Sequence, residues 1–294
     1  MPFASLRTPF VRSFAMLFTT AILVSSLSAC VTSSRGGDPL SWSAPGTSGS
    51  IASLEGLVGG GNAGAGAPIA HVDARDWKAV TISGSYAIVA HNNAAVDFGR
   101  RLRDRGVERV ATALTGGTGA FTADRAGIRQ AMDSLGGGQG ACLFFATSHG
   151  NRTGLRLEAE GRQRMLTPRD LDRLLDEHCG DRPTVAILSD CDAGVFLDSR
   201  MRQPNRILIA ASARGRVSYG AKVYERYVNF DRCLMGALDS GAATWADAFN
   251  RALPCVQERE RWLGVRPSEP QAYFGAQVAN LAVPGTPPLS ARLQ

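Results

Sequence analysis

Two short apolar runs in the middle of the chain limit its architecture more than any other feature. Residues 141–150 read Ala-Cys-Leu-Phe-Phe-Ala-Thr-Ser-His-Gly, and residues 184–194 read Thr-Val-Ala-Ile-Leu-Ser-Asp-Cys-Asp-Ala-Gly. Each stops abruptly in small and polar residues. Between them lies a helical pattern, with Thr167 as N-cap, Pro168 at the first helical position and Leu171, Leu174 and Leu175 at helical spacing before Gly180. A crossover of this kind makes the two runs neighbouring parallel strands. Parallel neighbours lie about 4.8 Å apart. His149 and Cys191 then share one sheet edge, at the carboxyl ends, where open α/β sheets place their ligand crevice.

The rest of the chain keeps the same rhythm. Residues 79–83 read as a short edge strand and residues 86–90 as the first strand of the main sheet. Residues 93–105 carry Ala94, Val96, Phe98 and Leu102 among arginines, an amphipathic helix closed by Gly106. Residues 109–114 are the next strand. Thr122 reads as the cap of a helix over 123–135, with Asp124 in its first turn. Strands follow at 142–147, 184–188 and 206–211, helices at 234–238 and 245–263, the latter interrupted or kinked at Pro254, and a last strand at 272–278. Strands alternating with helices predict an α/β fold around a doubly wound, mostly parallel sheet.

The ends read differently. Arg7 and Arg12 precede an apolar stretch at 14–24, too short to span a bilayer, and Leu27-Ser28-Ala29-Cys30 follows. This segment resembles a bacterial lipoprotein signal over residues 1–29. The resemblance implies lipidation of Cys30 and membrane attachment through it, and Val31 after the cysteine implies an outer-membrane anchor facing the periplasm. Residues 30–75, rich in Gly, Ser, Ala and Pro, form a flexible tether. The folded domain spans 76–283, and residues 284–294 hold an irregular tail.

The net charge of +6 includes the two leader arginines, and the remaining excess is scattered, without runs or interleaved aromatics. Nucleic acid is therefore not an expected partner. Cys142 reads as a buried hydrophobe, and one disulfide is expected among Cys179, Cys233 and Cys255, in a pairing that sequence leaves open. Outside Cys30 the cysteines number five, and an odd thiol is what an enzyme nucleophile leaves. No Cys-x-x-Cys pair occurs and the four histidines are far apart, so neither a metal nor another cofactor is expected.

A cysteine attacks as the thiolate, with a free pKa of about 8.5. A neighbouring histidine generates that thiolate and later protonates a leaving amine. Gly150 leaves its own N–H unobstructed for a developing oxyanion, the Cys191 N–H is the natural second donor, and Asp192-Ala193-Gly194 reads as a sharp turn exposing the sulfur. Two carboxylates beside the thiol, Asp190 and Asp192, are expected to raise its pKa unless they point away.

Ser148-His149-Gly150 and Ser189-Asp190-Cys191-Asp192-Ala193-Gly194 resemble the His-Gly and small-x-Cys-x-x-Gly signatures of the legumain family of cysteine peptidases. The likeness continues through Asn-Arg-Ile-Leu-Ile-Ala-Ala-Ser at 205–212, Ser218-Tyr219, and Ser-Glu-Pro-Gln at 268–271, covering about 80–278. It implies a caspase-like three-layer sandwich. It also implies His149 as general base or acid, Cys191 as nucleophile, Gly150 and Cys191 as oxyanion N–H donors, and Ser189, Asp190, Ser218 and Asp231 as substrate-binding positions. The chain departs from the family at Ser189, where legumains carry Glu, and at His91-Asn92-Asn93, where they place an arginine.

The function expected is a membrane-anchored cysteine endopeptidase acting on protein or peptide substrates through a thioester. A transpeptidase would use the same dyad, and a caspase-like domain without turnover would be a binding module of the cell envelope. A generic α/β hydrolase fits less well, because the Gly-x-Ser-x-Gly elbow is absent and the histidine precedes the cysteine.

Overall fold

The computed structural model describes residues 68–116, 119–137, 140–159, 161–220 and 224–288. The leader, Cys30 and the tether as far as residue 67 lie outside the described residues. The folded unit takes in residues ahead of 76: the Ile69 N–H donates to the Gln277 carbonyl at 2.7 Å, and the Ala282 N–H to that of Ala70 at 2.8 Å. Among the described residues no helix is long and apolar enough to cross a membrane.

The architecture is the expected α/β sandwich, a mostly parallel seven-stranded sheet between two helical layers, consistent with a caspase-like arrangement. The chain runs through β1 (Lys78–Ser83), α1 (Val89–Asp104), β2 (Arg109–Leu114), β3 (Phe121–Thr122), α2 (Arg125–Ser134) and β4 (Cys142–Thr147). It continues through β5 (Gly150–Asn151), β6 (Gly154–Ala159), β7 (Arg162–Leu166), α3 (Pro168–His178), β8 (Thr184–Ser189) and β9 (Arg206–Ala210), then α4 (Asn229–Asp239), α5 (Trp245–Leu263) and β10 (Gln271–Phe274). The sheet order is β10-β9-β8-β4-β1-β2-β3, with only β10 antiparallel to its neighbour. β5, β6 and β7 form a separate small antiparallel sheet.

Side chains along each central strand alternate between two cores. Leu143, Phe145, Val185, Ile187, Ile207 and Ile209 face α1, α4 and α5, where Phe98 stacks on Phe145 with ring centroids 4.3 Å apart. Cys142, Phe144, Ala186, Leu188, Leu208 and Ala210 face α2, α3 and the small sheet. Helices on both faces explain why β4 and β8 are buried at every position.

Several expectations change. The segment 79–83 is no edge strand: β1 lies between β2 and β4. Its polar residues are absorbed inside, with Thr81 Oγ1 2.9 Å from Thr112 Oγ1 and Lys78 Nζ donating to the Gly136 carbonyl at 2.9 Å. Residues 86–90 form no strand. Ala90, Ala94, Phe98 and Leu102 repeat at spacing four, so α1 starts at Val89 and buries that stripe. Asp124 caps α2 by accepting from the Gly127 N–H at 2.7 Å, while Thr122 ends β3. The hairpin strands β5–β7 were not expected. Cys142 is no lone hydrophobe: it pairs with Cys179, and Cys233 pairs with Cys255. The cap of α3 is as expected, with Pro168 at N1 and Thr167 and Asp170 each accepting the other's backbone N–H at 3.2 Å. α5 runs unbroken through Pro254.

Candidate functional site

β4 and β8 are adjacent and parallel, in the register Cys142↔Thr184 through Thr147↔Ser189. His149 and Cys191 each stand two residues beyond the last matched pair. The Ser148 N–H donates to the Ser189 carbonyl at 3.1 Å and carries the pairing one step further. One small pocket at this edge is lined by His91, His149, Ser189, Asp190, Cys191 and Ser218 among others. Cys191 Sγ lies 3.5 Å from the Ser218 carbonyl oxygen.

The hairpin explains how Gly150 is placed. The Arg156 N–H donates to the His149 carbonyl at 2.8 Å, and Gly150 stands opposite Leu155. Antiparallel pairs alternate between bonded and non-bonded. Gly150↔Leu155 is thus a non-bonded pair, and its N–H is not consumed by the hairpin. A Cβ at Gly150 would stand 2.0 Å from Asp190 Oδ2 and 2.6 Å from the Cys191 carbonyl oxygen. Only glycine lets the histidine strand approach the cysteine turn this closely.

The turn after the cysteine is held from several sides. Asp192 is left-handed at φ 60°, and its Oδ1 accepts the Gly215 N–H at 2.5 Å. Asp is one of the few non-glycine residues that visit this region readily. Ser212 Oγ donates to the Asp190 carbonyl at 2.9 Å and accepts the Ala193 N–H at 3.1 Å, and the Gly194 N–H donates to the Ser212 carbonyl at 2.8 Å. This clamp draws the turn inward. Cys191 is only 3% exposed, so the turn does not present the sulfur at the surface as its sequence implied.

The site's electrostatics follow from burial. His149 is held below its usual pKa, first by desolvation and then by the Arg156 guanidinium. Its imidazole is therefore neutral near pH 7, the form that accepts a proton. Arg156 Nε stands 2.9 Å from Glu158 Oε1 without hydrogen-bond alignment. Asp190 is 1% exposed, and desolvation, with the Asp192 charge, holds its carboxyl well above the ordinary range. Burial thus favours the protonated, uncharged form of this carboxyl beside the thiol. Asp192 turns its carboxylate to Gly215, outward from the sulfur's pocket.

Of the positions the sequence singled out, His149, Ser189, Asp190, Cys191 and Ser218 meet at one pocket, with Gly150 against it. Asp231 stands behind the pocket, fully buried, with Oδ2 accepting from Thr147 Oγ1 at 2.7 Å. Ser189 Oγ faces the same carboxyl outside hydrogen-bond geometry. Sequence reasoning missed the roles of His91, Thr147 and Ser212. His91 lies in the first turn of α1, not at a strand end, and its ring meets that of His149 edge-on with centroids 5.5 Å apart. Among the described residues no cluster of His, Cys, Asp and Glu is placed to hold a metal. No family model matches the chain, and no curated protein matches it.

Proposed function

We propose that this chain is a cysteine endopeptidase of the legumain type, tethered to a bacterial envelope membrane through lipidated Cys30. The observation that carries the reading is the register of β4 and β8, which sets His149 and Cys191 at equal distances past paired strand ends, on one pocket. His149, neutral near pH 7, takes the thiol proton of Cys191. The thiolate attacks the scissile carbonyl and forms a C–S bond. The oxygen gains the negative charge and faces the N–H groups of Gly150 and Cys191. The intermediate then expels the amine, which receives the proton from His149. Water, activated by the same imidazole, hydrolyses the thioester and restores the thiol. An amine in place of water at this last step gives a transpeptidase.

No cysteine among the described residues is in the free-thiol state, so the reading concerns the protein in a reductant. The test is cleavage of a peptide library by the full chain in detergent and reductant, analysed by mass spectrometry. The reading expects cleavage that Cys191→Ala and His149→Ala each abolish, a loss of at least about 10³-fold. Cleavage that survives Cys191→Ala contradicts it. No cleavage under any condition, with a peptide retained by the pocket, transfers the reading to the binding module.

A further inference from the structure

The proposed mechanism leaves one buried group of the pocket unused. Asp190 lines the same pocket as His149 and Cys191. Neither of its carboxyl oxygens has a hydrogen-bond partner among the described residues. A buried polar group left unpaired is destabilising unless something comes to satisfy it. Its main chain is pinned by Ser212 Oγ at 2.9 Å, so the side chain has no easy route out to water. Its Oδ2 lies 2.0 Å from where a Cβ of Gly150 would be, beside one proposed oxyanion donor, and Asp190 directly precedes the other.

We propose that Asp190, as the protonated acid, donates a hydrogen bond to the scissile carbonyl oxygen as charge develops on it, a third donor beside the backbone N–H groups of Gly150 and Cys191. This assignment rests on the reading of Cys191 as nucleophile. The surroundings keep the proton in place. The charged neighbour of the carboxyl is Asp192, of like sign. In the resting site, before the thiol proton moves, the pocket histidines His149 and His91 are both held neutral by burial. Cys191 supplies no cation. A carboxylic acid kept neutral by an apolar site is a strong donor at neutral pH. The same proton keeps a second negative charge away from the thiolate, so ionisation of Asp190 both removes the donor and opposes the nucleophile.

Two probes separate this role from a structural one. A peptidyl aldehyde adds the thiolate and places an oxyanion in the site. Iodoacetamide alkylates the sulfur by displacing iodide and forms none. The full chain in detergent and reductant is compared with Asp190→Leu and Asp190→Asn, the latter keeping an N–H donor. The proposal expects Asp190→Leu to weaken the aldehyde by about 10²-fold, while the alkylation rate changes only a few-fold. Wild-type affinity for the aldehyde falls as pH rises and Asp190 ionises, whereas Asp190→Asn shows no such fall. Equal aldehyde affinity in wild type and Asp190→Leu overturns the proposal and leaves the dyad standing. So does an alkaline fall that persists in Asp190→Asn, a comparison that holds if the leucine variant fails to fold. Alkylation of Cys191 indifferent to His149→Ala removes the dyad and this proposal together.

Discussion

A single hydroxyl joins His91 to Asp231. Thr147 Oγ1 lies 2.9 Å from His91 Nδ1 and donates to Asp231 Oδ2 at 2.7 Å, with both titratable groups buried. The hydroxyl has one proton to give. When it is spent on the ionised Asp231, Nδ1 must donate, and His91 Nε2, buried without a partner, is an acceptor. When Asp231 is protonated and donates to the hydroxyl, the hydroxyl donates to Nδ1 and Nε2 carries the hydrogen. Burial pushes Asp231 up to about 7, against the pull of Ser189 and Thr147. The His91 tautomer should therefore switch near neutral pH. Nitrogen NMR of labelled histidine reads this directly, and the switch should vanish in Asp231→Asn.

The same pair sets opposing pH slopes of stability. Asp231 ionises near 3.8 when unfolded and about 7 when folded, so its contribution is lost as pH rises through that window. The full window corresponds to roughly 4 kcal/mol. His91 titrates at 6.5 unfolded and about 3 folded, depressed first by desolvation and then by His149 and Arg156, so its contribution is lost as pH falls below 6.5. The two nearly cancel between about pH 4 and 6.5. Asp231→Asn removes only the first. Urea midpoints should show the variant gaining stability relative to wild type between pH 4.5 and 7.5, and an unchanged difference would contradict the coupling.

Gly150→Ala should be costly for a local reason. The new methyl would overlap Asp190 Oδ2 and crowd the Cys191 carbonyl. Overpacking of this kind costs about 1–3 kcal/mol. Thermal denaturation should show that loss, and modification of Cys191 by peptidyl electrophiles should fall further than stability does, because the displaced groups belong to the site.

Among the described residues Arg206 is the largest fully buried charged side chain, 1% exposed, with Nη1 2.8 Å from Asp172 and Nη2 2.6 Å from Asp176. It ties the base of β9 to α3. Arg206→Ala strands the buried Asp172 and should cost about 3–5 kcal/mol, measured by urea unfolding. Arg206→Ala with Asp172→Ala should recover part of that loss.

The disposition of the site was readable because β4 and β8 announce themselves: they are apolar at nearly every position and separated by a well-capped helix. Thr167 and Pro168 mark the start of that helix by local chemistry alone, and Asp170 completes the cap in the structure. What misled was polarity whose partner is distant in sequence. Lys78 and Thr81 made a central strand resemble an edge, because Gly136 and Thr112, which absorb them, are 58 and 31 residues away. The β5–β7 hairpins leave little trace in the sequence because Arg162, Gln163 and Arg164 face solvent and carry no apolar period. Asp231 illustrates the same limit within the site. The family resemblance implied a place at the substrate pocket for it, while its hydrogen-bond partner Thr147 lies at the end of another strand, 84 residues away. Cys142 gave no sign of Cys179, since pairing depends on geometry across the β4–α3 interface.

The dyad itself is tested most directly by labelling Cys191. Wild type, Cys191→Ala and His149→Ala are treated in reductant with peptidyl electrophiles carrying Asn, Asp, Arg or Lys, and the modified residue is mapped by mass spectrometry. The account predicts rapid modification of Cys191 in wild type alone, with one side chain preferred. Equal labelling of wild type and Cys191→Ala, or slow alkylation indifferent to His149 and to the peptide, would contradict it.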